Sequence, residues 1–265
     1  LMEGHGLEWQ RTKYSSTARK VMKYMERLTA RLNHHLIMCS EGQVRFFKEN
    51  YGVDSVCIPG AVNLPNLDKE CSSDILERFQ LKKGKYFLFL GRLVQDKNPD
   101  YLIKAFIRFN CTQHNDDYKL VIAGANSTQP EYVESLHKLA SRCHNIIFTG
   151  AVYDDDKAQL LKNAYCFCIP STIEGLSIVL MEAASYKLPV IASNIDANKE
   201  FLGENAIFVE PESVDDLVKA LDTAVIMPEL LLSQIKNNYQ NLIDNYTWDK
   251  VADKYIKYLR SIGCH

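Results

Sequence analysis

From about residue 84 the chain alternates short apolar runs with amphipathic stretches. That regularity restricts its fold more than any other feature. Tyr86–Leu90 (YFLFL), Tyr118–Ala123, Ile146–Phe148, Tyr165–Ile169, Pro189–Ala192 and Ala206–Val209 read as strands. Helical spacing over Pro99–Phe109, Gln129–Arg142, Asp154–Asn163, Leu176–Tyr186 and Ser213–Val225 lies between or after them. Strands that are apolar along their whole length are buried on both faces. A βαβα alternation of such strands predicts a parallel sheet covered by helices on both sides. With right-handed crossovers this is an α/β, doubly wound, Rossmann-like layer, which binds ligands beyond the carboxyl ends of its strands.

The first sixty residues follow a different plan. Ser16–Leu32 is a basic amphipathic helix, Leu36–Cys39 a strand, Glu41–Asn50 a helix and Val56–Ile58 a strand. One βα pair and a closing strand cannot bury a core alone, so residues 1–62 read as the tail end of a preceding α/β domain and its hinge. Residues 63–245 form the second domain, its Pro59–Lys83 lead-in serving as linker, and residues 246–265 hold a terminal helix with Trp248, Val251, Tyr255, Tyr258 and Leu259 on one side. A formal net charge of −2 with 24% charged residues argues against a nucleic-acid partner. No apolar stretch approaches the roughly 18 residues that span a bilayer. None of the eight cysteines forms a CxxC pair, which points to reduced, buried thiols and a cytoplasmic protein.

Two segments carry chemistry. Pro170–Ser193, PSTIEGLSIVLMEAASYKLPVIAS, sets Glu174 and Glu182 on a loop and on the helix it opens. The amides of Leu176 and Ser177 would leave the positive end of that helix, an anion site made of backbone. Carboxylates flanking an anion site suit a ligand with hydroxyls at both ends and phosphate between, the layout of a nucleotide sugar. The second segment, Phe89–Phe106, ends a strand at Gly91 and places Arg92 and Lys97 before a helix that Asn98 and Pro99 could open. Two cations there can clamp a diphosphate.

Gly91-Arg92…Lys97-x-Pro99-x-x-Leu102, Ala123-Gly124, Phe148-x-Gly150-x-Val152 and Pro170-Ser171-x-x-Glu174-Gly175…Glu182-Ala183…Pro189-Val190-Ile191-Ala192 together resemble the family 4 retaining glycosyltransferases of the GT-B fold, in which two Rossmann-like domains face a cleft. The resemblance implies that Glu182 binds ribose hydroxyls, Glu174 contacts the transferred sugar and Arg92 and Lys97 hold the diphosphate. Gly175, Leu176 and Ser177 would lie over sugar and phosphate, Gly91 and Gly124 would follow ligand-binding strands, and Val152 would sit where the base is held. Gly4-His5-Gly6-Leu7-Glu8-Trp9-Gln10-Arg11 resembles a loop of the acceptor-side domain in a bacterial, rhamnosyltransferase-like branch, with His5 facing the donor sugar. On that basis most of the N-terminal domain lies upstream of Leu1, on the order of 120 further residues for domains of ~150. The sequence departs from the family at Leu176, where Gly or Phe is frequent, at Lys187, where Gly is frequent, and at Ala125-Asn126, which replaces a more glycine-rich turn. These departures leave base and sugar preference open.

The implied activity is sugar transfer with retention from a nucleotide-diphosphate donor (UDP, GDP or dTDP type) to a glycan or lipid-linked hydroxyl acceptor, in cell-surface polysaccharide or glycoconjugate synthesis. No cofactor and no metal is required, since fixed cations and amides can hold the leaving diphosphate. Asp154-Asp155-Asp156 reads as a helix cap. Two alternatives stay open: a donor-binding or regulatory module without transfer, and a nucleotide-sugar epimerase of the same fold, a class that usually lacks the Arg92/Lys97 pattern. The basic helix 16–32 reads first as a solvated charged face, with peripheral contact to anionic lipid at the inner face of the cytoplasmic membrane as the alternative. Gly124-Ala125-Asn126-Ser127 lacks the three-glycine turn and no acidic residue ends the next strand, which argues against a nicotinamide dehydrogenase.

Overall fold

The computed structural model describes residues 2–4, 6–11, 14–33, 35–68, 72–111, 117–125 and 129–263. His5, Cys71, Asn126 and Cys264 lie outside these residues. The chain opens with β1 (Met2–Gly4), α1 (Ser16–Leu32), β2 (Leu36–Met38), α2 (Glu41–Tyr51) and β3 (Val56–Cys57), which form a parallel three-stranded sheet in the order β1-β2-β3. Ser15 Oγ accepts the Ala18 amide to start α1, and Ser40 Oγ accepts the Gln43 amide to start α2. The sequence predicts two strands here. The third, β1, has only three residues and carries no readable alternation.

The second layer runs α3 (Ile75–Arg78), β4 (Tyr86–Leu90), α4 (Pro99–Asn110), β5 (Lys119–Ala123), α5 (Pro130–Ala140), β6 (Ile146–Gly150), α6 (Asp154–Asn163), β7 (Cys166–Ile169), α7 (Ile178–Ser185), β8 (Val190–Ser193), α8 (Asp196–Leu202), β9 (Ile207–Val209), α9 (Val214–Ile226), α10 (Pro228–Asn245) and α11 (Trp248–Ser261). Its strands are parallel in the order β6-β5-β4-β7-β8-β9. This is the doubly wound arrangement that the alternation predicts. The strand order reverses between β4 and β7, where such sheets open a crevice at their carboxyl ends. Phe87, Phe106 and Phe109 pack on one face of the sheet, and Tyr86, Leu88 and Met181 on the other. Cys166 and Cys168 are buried thiols outside any disulfide, on the first of these faces.

Three differences from the sequence reading have physical causes. Helix α10 is rich in Asn and Gln and shows no clean apolar stripe. Helices α3 and α8 are too short for periodicity to register. Helix α7 starts at Ile178, with Ser177 in extended conformation as its N-cap, two residues later than the spacing predicts. Lys187 follows α7 at φ 58°, a left-handed conformation that explains why glycine is frequent there in the family it resembles.

Helix α11 returns to the first layer. Val251 is buried with Ile37 and Ile58, and the Tyr255 hydroxyl donates to Glu3 at 2.6 Å. Helix α1 leaves Val21, Tyr24, Met25, Leu28 and Leu32 on one face, each at least 41% exposed. Among the described residues no helix is long and apolar enough to cross a membrane.

Candidate active site

The floor of the site is glycine for a steric reason. Gly91 follows β4 and Gly124 follows β5, and the Gly91 amide donates to the Ala123 carbonyl at 3.0 Å. A Cβ on Gly124 would lie 1.8 Å from the Gly91 carbonyl oxygen, so no side chain fits. The two strand ends can therefore close into a crevice of about 240 Å³, walled by Arg92, Val152, Tyr153, Lys157 and Glu182.

Glu182, in the second turn of α7, does not stand alone. Lys157 on α6 donates to its carboxylate at 2.7 Å. The sequence reading did not single out Lys157, although a signal existed. Leu160 and Leu161 are the buried apolar residues of α6, and Lys157 precedes them by three and four positions, so it shares their inward face at the ligand end of the sheet. A further cavity of about 300 Å³, lined by Val62, Pro65, Tyr186 and Trp248, lies on the other side of the Lys157–Glu182 pair. The pair is thus a partition between two hollows.

Glu174 is placed by a network under its loop. Asn98 sits at φ 51° as N-cap of α4, and its side chain donates to the Pro170 carbonyl at 3.1 Å. The Thr172 amide donates to the Asp96 carbonyl at 2.9 Å. Ser193 Oγ donates to the Ser171 carbonyl, and Asn198 Nδ2 to the Ser193 carbonyl at 2.9 Å. These bonds draw the 3-10 turn Gln95–Lys97 against the loop, where Lys97 Nζ donates to Glu174 at 2.5 Å. The Glu174 side chain is only 7% exposed, so it forms a buried ion pair and not a free carboxylate at a loop tip.

Between Glu174 and Glu182 lies the start of α7. Its N-terminal amides are those of Ile178 and Val179, a shift from the Leu176 and Ser177 that the sequence suggests. Among the described residues the amides of Gly175 to Val179 donate to no acceptor, and the Ser177 hydroxyl is buried without a partner. Leu176 packs against the second-layer core near Gly60.

Glu174 and Gly175 border a separate cleft of about 240 Å³ between the two layers, whose other wall holds Gly6, Arg11 and Gln43. His5 lies outside the described residues, so its predicted place against the donor sugar has no geometry here. Across this cleft the Glu200 carboxylate on α8 accepts from the amides of Glu41 at 2.7 Å and Gly42 at 3.2 Å, at the start of α2.

The aspartate run 154–156 is not a side-chain cap. Asp155 accepts from the Ser72 hydroxyl at 2.7 Å, and Asp156 from Ser73 and Arg78, fixing the linker to α6. The Ser73 hydroxyl, then Arg78, hold the Asp156 carboxyl below its usual range. Among the described residues no three His, Cys, Asp or Glu side chains are grouped to hold a metal ion.

Residues 73–241, which contain every one of the crevice residues, match the family described as glycosyl transferases group 1. The chain belongs to that family. This group 1 glycosyl transferase is 31% identical over 175 residues to an uncharacterised glycosyltransferase of Methanocaldococcus jannaschii, covering 65% of the chain and 44% of that protein. It is 28% identical to the Escherichia coli UDP-Gal:alpha-D-GlcNAc-diphosphoundecaprenol alpha-1,3-galactosyltransferase, covering 95% of the chain and 67% of that enzyme. Among solved structures, Anabaena Alr3699/HepE in complex with UDP and glucose superposes with a TM-score of 0.81 at 19% identity, over 98% of the chain and 70% of that protein. At that identity the likeness establishes the GT-B glycosyltransferase fold alone.

Proposed function

We propose that this group 1 glycosyl transferase moves a sugar from a nucleotide-diphosphate donor to a hydroxyl of a glycan or lipid-linked acceptor, with retention of anomeric configuration. One observation carries the reading: Arg92 shares a crevice with the Lys157–Glu182 pair, while the Lys97–Glu174 pair lies at the other end of a run of unbonded amides. The ribose diol is held by Glu182, with Lys157 fixing its carboxylate. Arg92, Lys97 and the amides of Gly175 to Val179 take the diphosphate, and Glu174 orients the sugar. The bond from the anomeric carbon to the phosphate oxygen breaks as the acceptor oxygen bonds the same face of that carbon. The acceptor proton passes to the departing phosphate. Prearranged cations and dipoles match charge that grows on the leaving group, so the chemistry asks for no divalent ion. The UDP and glucose bound by the Anabaena protein and the UDP-galactose donor of the E. coli relative support a nucleotide-sugar substrate. The apolar face of α1, flanked by Lys20, Lys23, Arg27 and Arg31, suits an anionic lipid surface and would bring the site to a lipid-linked acceptor.

The test is a thermal-shift panel of UDP, GDP and dTDP. A nucleotide at about 100 times its Kd stabilises by about 2.7 kcal/mol, or ~5–10 °C for a chain of this size. Glu182→Ala should lose the shift. If no nucleotide raises the melting temperature of the wild-type chain, the donor reading fails. A transfer assay with nucleotide sugars then separates an enzyme from a module that only binds.

A further inference from the structure

Lys157 and Glu182 border two hollows, and the proposed donor site uses one of them. The other measures about 300 Å³, against about 240 Å³ for the crevice, and lies against the crossing between the layers. Val62, Leu161, Ile178 and Trp248 supply its apolar lining, and the Lys157–Glu182 pair supplies its charge. Trp248 is 57% exposed and Ile178 45%. Tryptophan is highly buried on average in folded chains. Here, among the described residues, its ring meets no other ring and its N–H makes no hydrogen bond. Its backbone, in contrast, is pinned. Thr247 is the N-cap residue of α11 and its carbonyl accepts from the Val251 amide at 3.0 Å, while Val62 pairs with Thr247 and its amide donates to the Tyr246 carbonyl at 3.1 Å. A fixed turn thus holds an aromatic face in the same hollow as an ion pair with bonding capacity left. Lys157 Nζ donates to one carboxylate oxygen of Glu182, which leaves further N–H groups of the ammonium and the second oxygen without a partner among the described residues.

We propose that this second hollow is a binding site for a small aromatic alcohol, and that its occupant and the nucleotide compete for Glu182. The competition rests on the ribose reading above; the site itself does not. An ion pair carries no net charge. An anionic head would set a second negative charge beside Glu182, and an ammonium a second positive charge beside Lys157. A hydroxyl meets both partners at once: its proton goes to the unused carboxylate oxygen, and its own oxygen accepts from Lys157 Nζ. The body behind that hydroxyl has to match Trp248, Ile178, Val62 and Leu161. A planar ring stacks on the indole and buries apolar area against the aliphatic residues. Mostly apolar walls with few polar groups are the make-up of small-molecule sites. The linkage comes from the shared wall. Glu182 has one oxygen left to give, and the ribose diol and the aromatic alcohol both call on it. Each ligand therefore weakens the other by the same factor, since coupling between two sites is reciprocal.

Calorimetric titration of the full chain with p-cresol, toluene and benzoate tests the site. p-Cresol should bind more tightly than toluene, which lacks the hydroxyl, and than benzoate, which carries the wrong charge. Trp248→Ala should weaken p-cresol by about 2- to 13-fold, the worth of an aromatic pair, and Trp248→Phe should keep most of the affinity. The side chain is exposed, so both variants should melt with the wild type, and without p-cresol both should bind nucleotides as the wild type does. Titrations with UDP, GDP and dTDP are then repeated in saturating p-cresol, where wild-type nucleotide affinity should fall by about 5- to 150-fold. No binding of p-cresol, or binding that Trp248→Ala leaves unchanged, overturns the site. Equal binding of toluene overturns the role given to the ion pair. A nucleotide affinity that p-cresol does not lower overturns the competition. If the wild type binds no nucleotide at all, the donor reading has failed and the competition falls with it, while the Trp248 comparison still decides the site.

Discussion

Replacing Lys97 with Met keeps most of the side-chain volume and removes one charge from the Lys97–Glu174 pair. The two side chains are 16% and 7% exposed and 2.5 Å apart. The substitution leaves a carboxylate desolvated without its counter-charge. Removing one partner of a buried pair costs about 3–5 kcal/mol, whereas removing both charges is often close to neutral. The residual exposure on the lysine side places the single variant near the lower end, about 3 kcal/mol. For a chain of this length that is a fall of ~6–12 °C in melting temperature. Lys97→Met with Glu174→Gln should recover most of the loss, because the amide still hydrogen-bonds and carries no charge. Urea denaturation and thermal melts of the wild type, both single variants and the double variant close the cycle. A cost below about 1 kcal/mol for Lys97→Met alone, or a double variant no more stable than Lys97→Met, would refute the account of Glu174 as a buried charge held by this lysine.

Other outcomes follow from the same geometry. Gly124→Ala drives a Cβ into the Gly91 carbonyl and should cost about 3 kcal/mol, with loss of nucleotide binding; a variant that melts and binds normally would show that the strand ends can part freely. Burial foremost, then the Glu41 and Glu200 carboxylates, pushes the Cys57 thiol from 9.0 up to about 12, and burial raises the Tyr165 and Tyr246 hydroxyls from 10.0 to about 12. The unfolded chain releases these protons near pH 9–10 while the folded chain keeps them. Stability should therefore be intact below pH 9 and fall steadily between pH 9 and 12, as urea midpoints across that range will report. Tyr24→Ser with Leu28→Ser should abolish co-sedimentation of the chain with phosphatidylserine vesicles and spare binding of nucleotides; unchanged sedimentation would remove the lipid surface from the proposed function.

The parallel sheet was legible because burial on both faces writes strands as unbroken apolar runs: Tyr86–Leu90 has the predicted limits, as does the intervening helix Asp154–Asn163. The start of α7 was not, because Leu176 is apolar and continues the helical spacing, yet the backbone is still extended at Ser177. Arg92 and Glu182 could be read because each follows a strand or a helix start at fixed spacing. The partners of the two glutamates could not. Lys157 meets Glu182 only after β6 and β7 have been placed by the sheet order, and Lys97 meets Glu174 only because Asn98, in a left-handed conformation, is tied to Pro170. Sequence spacing finds residues that share an element, whereas contacts between elements wait for the topology.

The Glu200 contact has a mechanical consequence. The polypeptide passes between the layers at Val62, whose amide bonds Tyr246 at 3.1 Å and which pairs with Thr247, so this crossing acts as a spine. The Glu200 carboxylate, gripping the first amides of α2, is the clasp on the fore-edge. Hydrogen bonds to a charged group contribute about 1.5–3 kcal/mol each, and water can replace them when they break. The two halves can therefore swing apart like the covers of a book on a modest expenditure of free energy, without disturbing either sheet.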